Sequence, residues 1–396
     1  MRPLPTEFRS TSGKSLERLD GDAWLSGQQA PPALERAHAA MNRVSDVNSH
    51  DLQKLAQALL PWLHLHIPEA ESITLSGLRK SAAGGSSETL FLEPLIREQG
   101  CVRHEAWVLR IEATVHQIYQ DPSVERQYRV MQALSRSSSV PVPKVLWYES
   151  DRSVIGAPFF LMERVEGAIP DALHNSGGFL TQITTSQREL IWLSAIQTLA
   201  KIHTVELEPF RFLDRPSLGD SGLDQEIAVW DSYMRWSGAP IRPIQERARQ
   251  WLSDQLPRER PTGLAWGDAR PGNMIFRDNA CIAVIDWETV SLGGAETDLG
   301  WWLFFDWFVS DGFGVPRLPG LGTREQTLKV WEEFAGRKAR NMQWHELFAT
   351  WRFSLISDRA GHLARQLGLH HAPRTDARSP HAERLQMLLG AWDGPN

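Results

Sequence analysis

Asp268, Asn273 and Asp286 are oxygen donors spaced as magnesium and phosphate chemistry requires. The first two lie five positions apart in Trp266-Gly267-Asp268-Ala269-Arg270-Pro271-Gly272-Asn273, and the third follows the apolar run Cys281 to Ile285 and opens Asp286-Trp287-Glu288. Phosphoryl transfer asks little covalent work of a protein. It needs a nucleophile held in line, metal ions on the phosphates and positive charge near the transferred group. Asp268, on a loop leaving a strand, is placed to accept or orient the proton of an attacking hydroxyl, which contributes about 100- to 10,000-fold in rate. Asn273 and Asp286 offer hard oxygens, the ligands magnesium takes when it keeps several waters and phosphate oxygens. Arg270, two positions after Asp268, is the candidate for stabilising charge on the transferring group.

Two upstream features fit the same chemistry. Gly84, Gly85, Ser86 and Ser87 form a small-residue loop whose backbone N–H groups can approach anionic oxygens. Arg110, in Val108-Leu109-Arg110-Ile111, carries a permanent charge able to grip phosphate through two parallel bonds. A GxxxxGK[ST] pattern is missing, which argues against a P-loop enzyme.

The Asp-to-Asn spacing equals that of the protein-kinase catalytic loop, and Asp286 stands where those enzymes hold a metal-binding Asp. From about Ser49 to about Leu367, and most specifically over Leu264 to Trp302, the chain resembles the aminoglycoside-phosphotransferase-like family of small-molecule kinases. The wording Trp-Gly-Asp-Ala-Arg and Asp-Trp-Glu looks closer to the family's modules fused to acyl-CoA dehydrogenases than to its resistance enzymes. The resemblance implies a bilobal, protein-kinase-like α+β fold with a small, mostly antiparallel β lobe and a larger helical lobe. It implies ATP or GTP as co-substrate and Mg2+ as cofactor, with Asp268 catalytic and Asn273 and Asp286 the metal ligands. It also places adenine against backbone groups of Glu163 and Val165 in the stretch Phe160 to Gly167.

The departures from the family pattern matter. Arg110 fills a position often held by Lys, and its expected partner, a helix Glu, aligns with Gln127, with Glu125 as the alternative. Gln supplies an acceptor but no charge. Trp266 replaces the His usual before Gly-Asp, a residue that mainly packs and braces backbone. Glu288 is open to three roles: second-metal ligand, substrate contact or loop brace. Asp298 is expected to accept N–H bonds from the catalytic loop, and His203, His64 and His66 are read as structural rather than metal-binding.

Elements able to position these groups can be read from periodicity. Leu52, Leu55, Ala56 and Leu59 follow helical spacing, with Asn48 and Ser49 as available caps and Pro68 closing the segment. Short β-prone runs over 73–78, 89–96 and 106–111, separated by turn residues, predict an antiparallel meander. A helix over 124–134 and strands over 144–148 and 159–165 follow. Beyond Glu166-Gly167 the pattern turns helical over 189–205, 223–237, 243–256, 298–309, 324–334, 344–367 and 382–389, with short strands at 264–266 and 280–285 flanking the motif loop. The domains expected are an extension over 1–48, a nucleotide-binding lobe over 49–166 and a catalytic and substrate-binding lobe over 167–396.

Bulk properties exclude other classes. A net charge of -6 gives no basic footprint for nucleic acid. The two cysteines, Cys101 and Cys281, form neither a disulfide framework nor a zinc motif, which suits a reducing cytoplasm. The first ten residues lack a signal-peptide core, and no apolar stretch reaches the roughly 18 residues of a membrane span. Homodimerisation through an exposed sheet edge is open to the small lobe but not demanded by the pattern. From Ser291 to Asn396 there are 12 Asp and Glu against 12 Lys and Arg, together with Trp301, Trp302, Phe304, Phe305, Trp307, Phe308, Phe313, Trp331, Trp344 and Trp351. That favours a small-molecule hydroxyl substrate with an apolar or acyl body over a polycationic sugar. Aminoglycoside or macrolide phosphotransferase is the competing enzyme reading, and a nucleotide-binding pseudokinase or scaffold the competing class.

Overall fold

The computed structural model describes residues 50–81, 86–368 and 379–391. The expected extension, Gly84 and Gly85 lie outside the described residues. Helix α1, Leu52–His66, opens on Asp51, whose carboxylate accepts the N–H groups of Gln53 and Lys54, so the cap is Asp51 rather than Asn48 or Ser49. Its buried stripe of Leu55, Leu59, Trp62 and Leu63 packs on the outer face of a sheet.

That sheet contains β1, Ser72–Lys80; β2, Glu88–Glu98; β3, Cys101–His104; β4, Trp107–Ile111; β5, Val145–Glu149; and β6, Phe159–Glu163, in the order β1-β2-β4-β6-β5 with β3 beside β2. Every pairing is antiparallel. Strand β3 falls where a plain turn was expected: its four residues are all exposed, so no apolar alternation marks it. Central strand β4 is buried along its length. The two-residue period sends Leu109 and Ile111 to the outer core and Val108 to the inner one. Arg110 therefore points inward, toward helix α2, Val124–Ser137, which Ser123 caps.

The remainder is mainly helical: α3, Phe179–Gln182; α4, Thr185–His203; α5, Gly222–Trp236; α6, Pro243–Asp254; α7, Ala295–Phe308; α8, Arg324–Ala335; α9, Met342–Gln366; and α10, Pro380–Gly390. Helix α9 is largely buried and packs against α7, forming the centre of this lobe. Between α6 and α7 the motif region folds differently from expectation. Residues 264–266 form no strand; Ala265 makes an isolated bridge to Ser291. The strand that pairs with β8, Ala280–Val284, is β7, Met274–Arg277. Asp278 and Asn279 join them with φ of 52° and 62°. This two-residue turn, with both central residues left-handed, suits the twist of a hairpin and accepts Asp and Asn.

Candidate active site

Trp266, Gly267 and Asp268 precede a 3-10 turn, Pro271–Asn273, that runs into β7. Gly267 has φ of 98°, and a Cβ there would collide with the carbonyl of Thr289, so glycine is required on two counts. The loop is suspended from Asp298 in the first turn of α7. This fully buried carboxylate accepts the N–H of Trp266 at 2.6 Å, the N–H of Gly267 at 2.8 Å and His203 Nε2 at 2.9 Å. Trp331 Nε1 donates to His203 Nδ1 at 2.9 Å. With Nδ1 accepting, His203 is the neutral tautomer whose Nε2–H points at Asp298. The Trp266 ring braces the next loop, donating from Nε1 to the carbonyls of Ile285 at 3.0 Å and Asp286 at 3.2 Å.

Asp268 is surrounded by donors. Asn273 Nδ2 lies 2.6 Å from Oδ2, Trp301 Nε1 lies 2.7 Å from Oδ1, and Arg270 Nε reaches both oxygens at 3.1 and 3.2 Å. The carboxylate is thereby fixed in orientation. Arg270 keeps its Nη groups free of hydrogen bonds among the described residues while its guanidinium sits 5.6 Å from the Phe305 ring. Trp301 is a contact the sequence reading missed, since an aromatic at helical spacing reads first as core. Replacing Trp301 by phenylalanine keeps the ring but removes a bond to a charged acceptor, so kcat should fall about 10-fold or more with little change in nucleotide affinity, a split that steady-state kinetics reads directly.

Asp286 is brought to Asn273 by the backbone: Ile285 N–H donates to the Asn273 carbonyl at 3.0 Å. Asp286 sits at φ of 62°, a strained setting that Asp tolerates better than most residues. Burial and the neighbouring Glu288 push its carboxyl up to about 7, against the pull of Arg110. Tyr119, also missed, stands within the same field: burial and the charges of Asp268, Glu288 and Asp286 hold its phenol well above its ordinary value. Beneath the loop, fully buried Arg352 donates to the Gly267 carbonyl at 3.4 Å and lies 4.6 and 4.8 Å from the rings of Trp230 and Trp301.

Arg110 does not take its charge partner from α2. Its Nη2 lies 2.8 Å from Glu288 Oε1, against 3.4 Å from Gln127 Oε1 and 3.4 Å from Asp286 Oδ1, while Nη1 donates to Thr89 at 2.6 Å. Glu125 faces Arg129 instead, on the solvent side of α2. The expected pairing with Gln127 is thus a secondary contact, because Glu288 brings the carboxylate that the amide lacks. Ser87 is buried and donates its hydroxyl to the same Glu288 oxygen at 2.5 Å, whereas Ser86 is half-buried and makes no side-chain bond among the described residues. Glu163 ends β6 opposite Trp107, its N–H spent on the Lys144 carbonyl, and Val165 follows half-buried.

The aromatic region divides. Trp331, Trp344, Trp351, Trp302 and Phe304 are buried core. Phe305, Phe308, Phe313 and Phe353 are half-buried and mutually packed, with Phe305 and Phe353 also against Trp301 beside Asp268. His66 bonds the Trp62 carbonyl, and among the described residues no three His, Cys, Asp or Glu gather into a metal cage. Nor, among them, is any helix long and apolar enough to cross a membrane.

A profile of the phosphotransferase enzyme family matches residues 97–336. Acyl-CoA dehydrogenase family member 11 of Mus musculus is 26% identical over 340 residues, taking in 82% of this chain and 42% of that protein. Acyl-CoA dehydrogenase family member 10 of Mus musculus is 35% identical over 181 residues, or 45% of this chain and 16% of that protein. The chain therefore spans less than half the length of these relatives. A crystal structure from Ralstonia eutropha JMP134, provisionally named an aminoglycoside phosphotransferase, aligns with a TM-score of 0.62 at 24% identity, covering 84% of this chain and 98% of that one. A thermostable mutant of aminoglycoside phosphotransferase APH(4)-Ia, in ternary complex with ADP and hygromycin B, aligns with a TM-score of 0.52 at 14% identity, covering 85% and 100%. These likenesses establish the two-lobed, kinase-like α+β fold. With more than half of its length matched by the profile, and with Asp268, Asn273 and Asp286 inside that span, the chain belongs to the phosphotransferase enzyme family.

Proposed function

We propose that this phosphotransferase moves the γ-phosphoryl group of ATP or GTP onto the hydroxyl of a small molecule with an apolar or acyl body. The observation that carries the reading is the convergence of Asp268, Asn273, Asp286 and Arg110 where the sheet meets the helical lobe. Asp268, aligned by Asn273, Trp301 and Arg270, orients the acceptor hydroxyl and takes up its proton as the acceptor oxygen bonds phosphorus and the bond to the nucleoside diphosphate breaks. Arg110 holds the α- and β-phosphates, Arg270 offers its free Nη groups to the transferring group, and the loop through Gly84, Gly85, Ser86 and Ser87 covers the phosphates. Adenine lodges against backbone groups of Glu163 and Val165.

Magnesium fits the donors present. The Asn273 amide spends its Nδ2 on Asp268, leaving Oδ1 as the donor for a cation, and burial together with Glu288 raises the Asp286 carboxyl to about 7, a cost that a bound cation would relieve. One carboxylate and one amide suffice for an ion that takes its remaining ligands from phosphates and water. When bound, it would neutralise charge on the phosphates. Because the Asp286 carboxyl sits near 7, a proton competes with the cation below that pH. Magnesium affinity should fall as pH drops from 8 to 6, approaching about tenfold per unit. In the metal-free protein the sign is opposite: the folded state binds the proton more tightly than the unfolded one, so this group's stabilisation is complete near pH 4 and lost as pH rises through 7. Titration calorimetry and urea unfolding across that range check both.

The half-buried wall of Phe305, Phe308, Phe313 and Phe353 supports an apolar or acyl acceptor over a polyamine. Phosphate transfer from labelled ATP and GTP to hydroxyacyl compounds, aminoglycosides and macrolides, with Asp268→Asn as control, tests this. Transfer confined to aminoglycosides would overturn the acceptor class. Nucleotide binding without Asp268-dependent transfer would leave a pseudokinase.

A further inference from the structure

In the kinase arrangement a cation on the central strand is held by a carboxylate from the neighbouring helix, and both must be in place for the phosphates to be gripped. Here the helix offers Gln127. Its Oε1 is 3.4 Å from Arg110, and its buried Nε2 has no hydrogen-bond partner among the described residues, so the amide does not neutralise the cation. Glu288, from the loop carrying Asp286, makes the short contact with Arg110 and is almost fully buried. The same oxygen accepts the hydroxyl of Ser87, the residue that leads from the small-residue loop into β2. One carboxylate oxygen thus joins the end of that loop, the strand cation and the Asp286 loop, spanning both lobes.

We propose that Glu288 is the positioning residue for Arg110, supplying from the Asp286 loop the carboxylate that the helix lacks, and that it ties Ser87, immediately before β2, to the same point. The inference rests on the proposed function only in taking Arg110 as the cation that meets the nucleotide phosphates. Glu288 is then committed to Arg110 rather than to a metal ion, which settles the choice among the three roles its sequence position left open. The carboxylate comes from the loop after Asp286 instead of from the helix and meets the same Arg110 Nη2 that Gln127 reaches only at 3.4 Å.

The relocation makes a rescue experiment possible. ADP affinity is measured in EDTA, where no metal ligand contributes, for wild type, Glu288→Gln, Gln127→Glu and the double variant. Glu288→Gln should weaken ADP binding about tenfold, and Gln127→Glu in that background, which returns a carboxylate to the helix beside Arg110 Nη2, should bring it back to within about threefold of wild type. The urea midpoint of nucleotide-free protein should follow the same order, reporting the pairing without any ligand. Wild-type ADP affinity in Glu288→Gln with a loss seen only in magnesium would assign Glu288 to the metal and overturn the proposal. So would a double variant no better than Glu288→Gln. Absence of Asp268-dependent phosphate transfer, with the order of affinities or midpoints intact, would remove the proposed function and leave the pairing standing.

Discussion

Asp268→Asn should lower kcat by about 100- to 10,000-fold while ADP affinity stays within a few-fold of wild type. The substitution is nearly isosteric, and it removes the charge that draws Asn273, Trp301 and Arg270 toward one point. Two consequences follow. The amide cannot take the acceptor's proton, and its NH2 group faces donors that now have one acceptor fewer. Nucleotide affinity should survive because the groups proposed to hold the phosphates and adenine, Arg110 and the backbone near Glu163, do not touch Asp268. Single-turnover transfer and ADP titration separate the two quantities. A variant retaining more than about a tenth of wild-type kcat would show that Asp268 neither orients nor deprotonates the acceptor.

The second large effect concerns folding. Asp298→Ala should destabilise the protein by about 3–5 kcal/mol, since it strands three buried donors, each costing about 1–3 kcal/mol when left unpaired, with partial relaxation. The donors are the backbone N–H groups of Trp266 and Gly267 and the Nε2–H of His203. For a protein whose total stability is about 5–15 kcal/mol, that is a large fraction. Asparagine should not rescue, because it offers one acceptor where three N–H groups converge and turns its own NH2 against one of them. Denaturant unfolding gives the stability change, and the activity of the surviving folded fraction reports how far the loop has lost its anchor. A loss below about 1 kcal/mol would mean the loop is held mainly by Arg352 and the Ala265–Ser291 bridge.

Much of the architecture was legible because periodicity reports burial. The β-prone run over 106–111 is strand β4 and the helical spacing from 189 onward marked the large lobe, but β4 is buried along its whole length, so only the packing shows that Arg110 lies on the inner face of the sheet. Strand β3 was missed because its side chains are all exposed and so leave no pattern. Strand β7 was missed although Asp278-Asn279 between two apolar runs is a hairpin signal, because the motif preceding it was read as one continuous loop. The early start of α7 at Ala295 was hidden by its cap, Gly294, which offers no side-chain bond to mark a helix beginning.

By itself the sequence determined the kinds of chemistry present: a loop carboxylate, an amide five residues on, a second carboxylate beyond a strand, and a fixed cation on the central strand. Those depend on residue type and local spacing, which a linear pattern preserves. Tertiary structure decided who meets whom. Glu288 reaches Arg110 across 178 positions of chain, and Trp301 reaches Asp268 from a helix that sequence reads as core. Neither could be foreseen, because a hydrogen bond depends on angstrom-scale approach of side chains whose positions are fixed only when sheet and helices pack together.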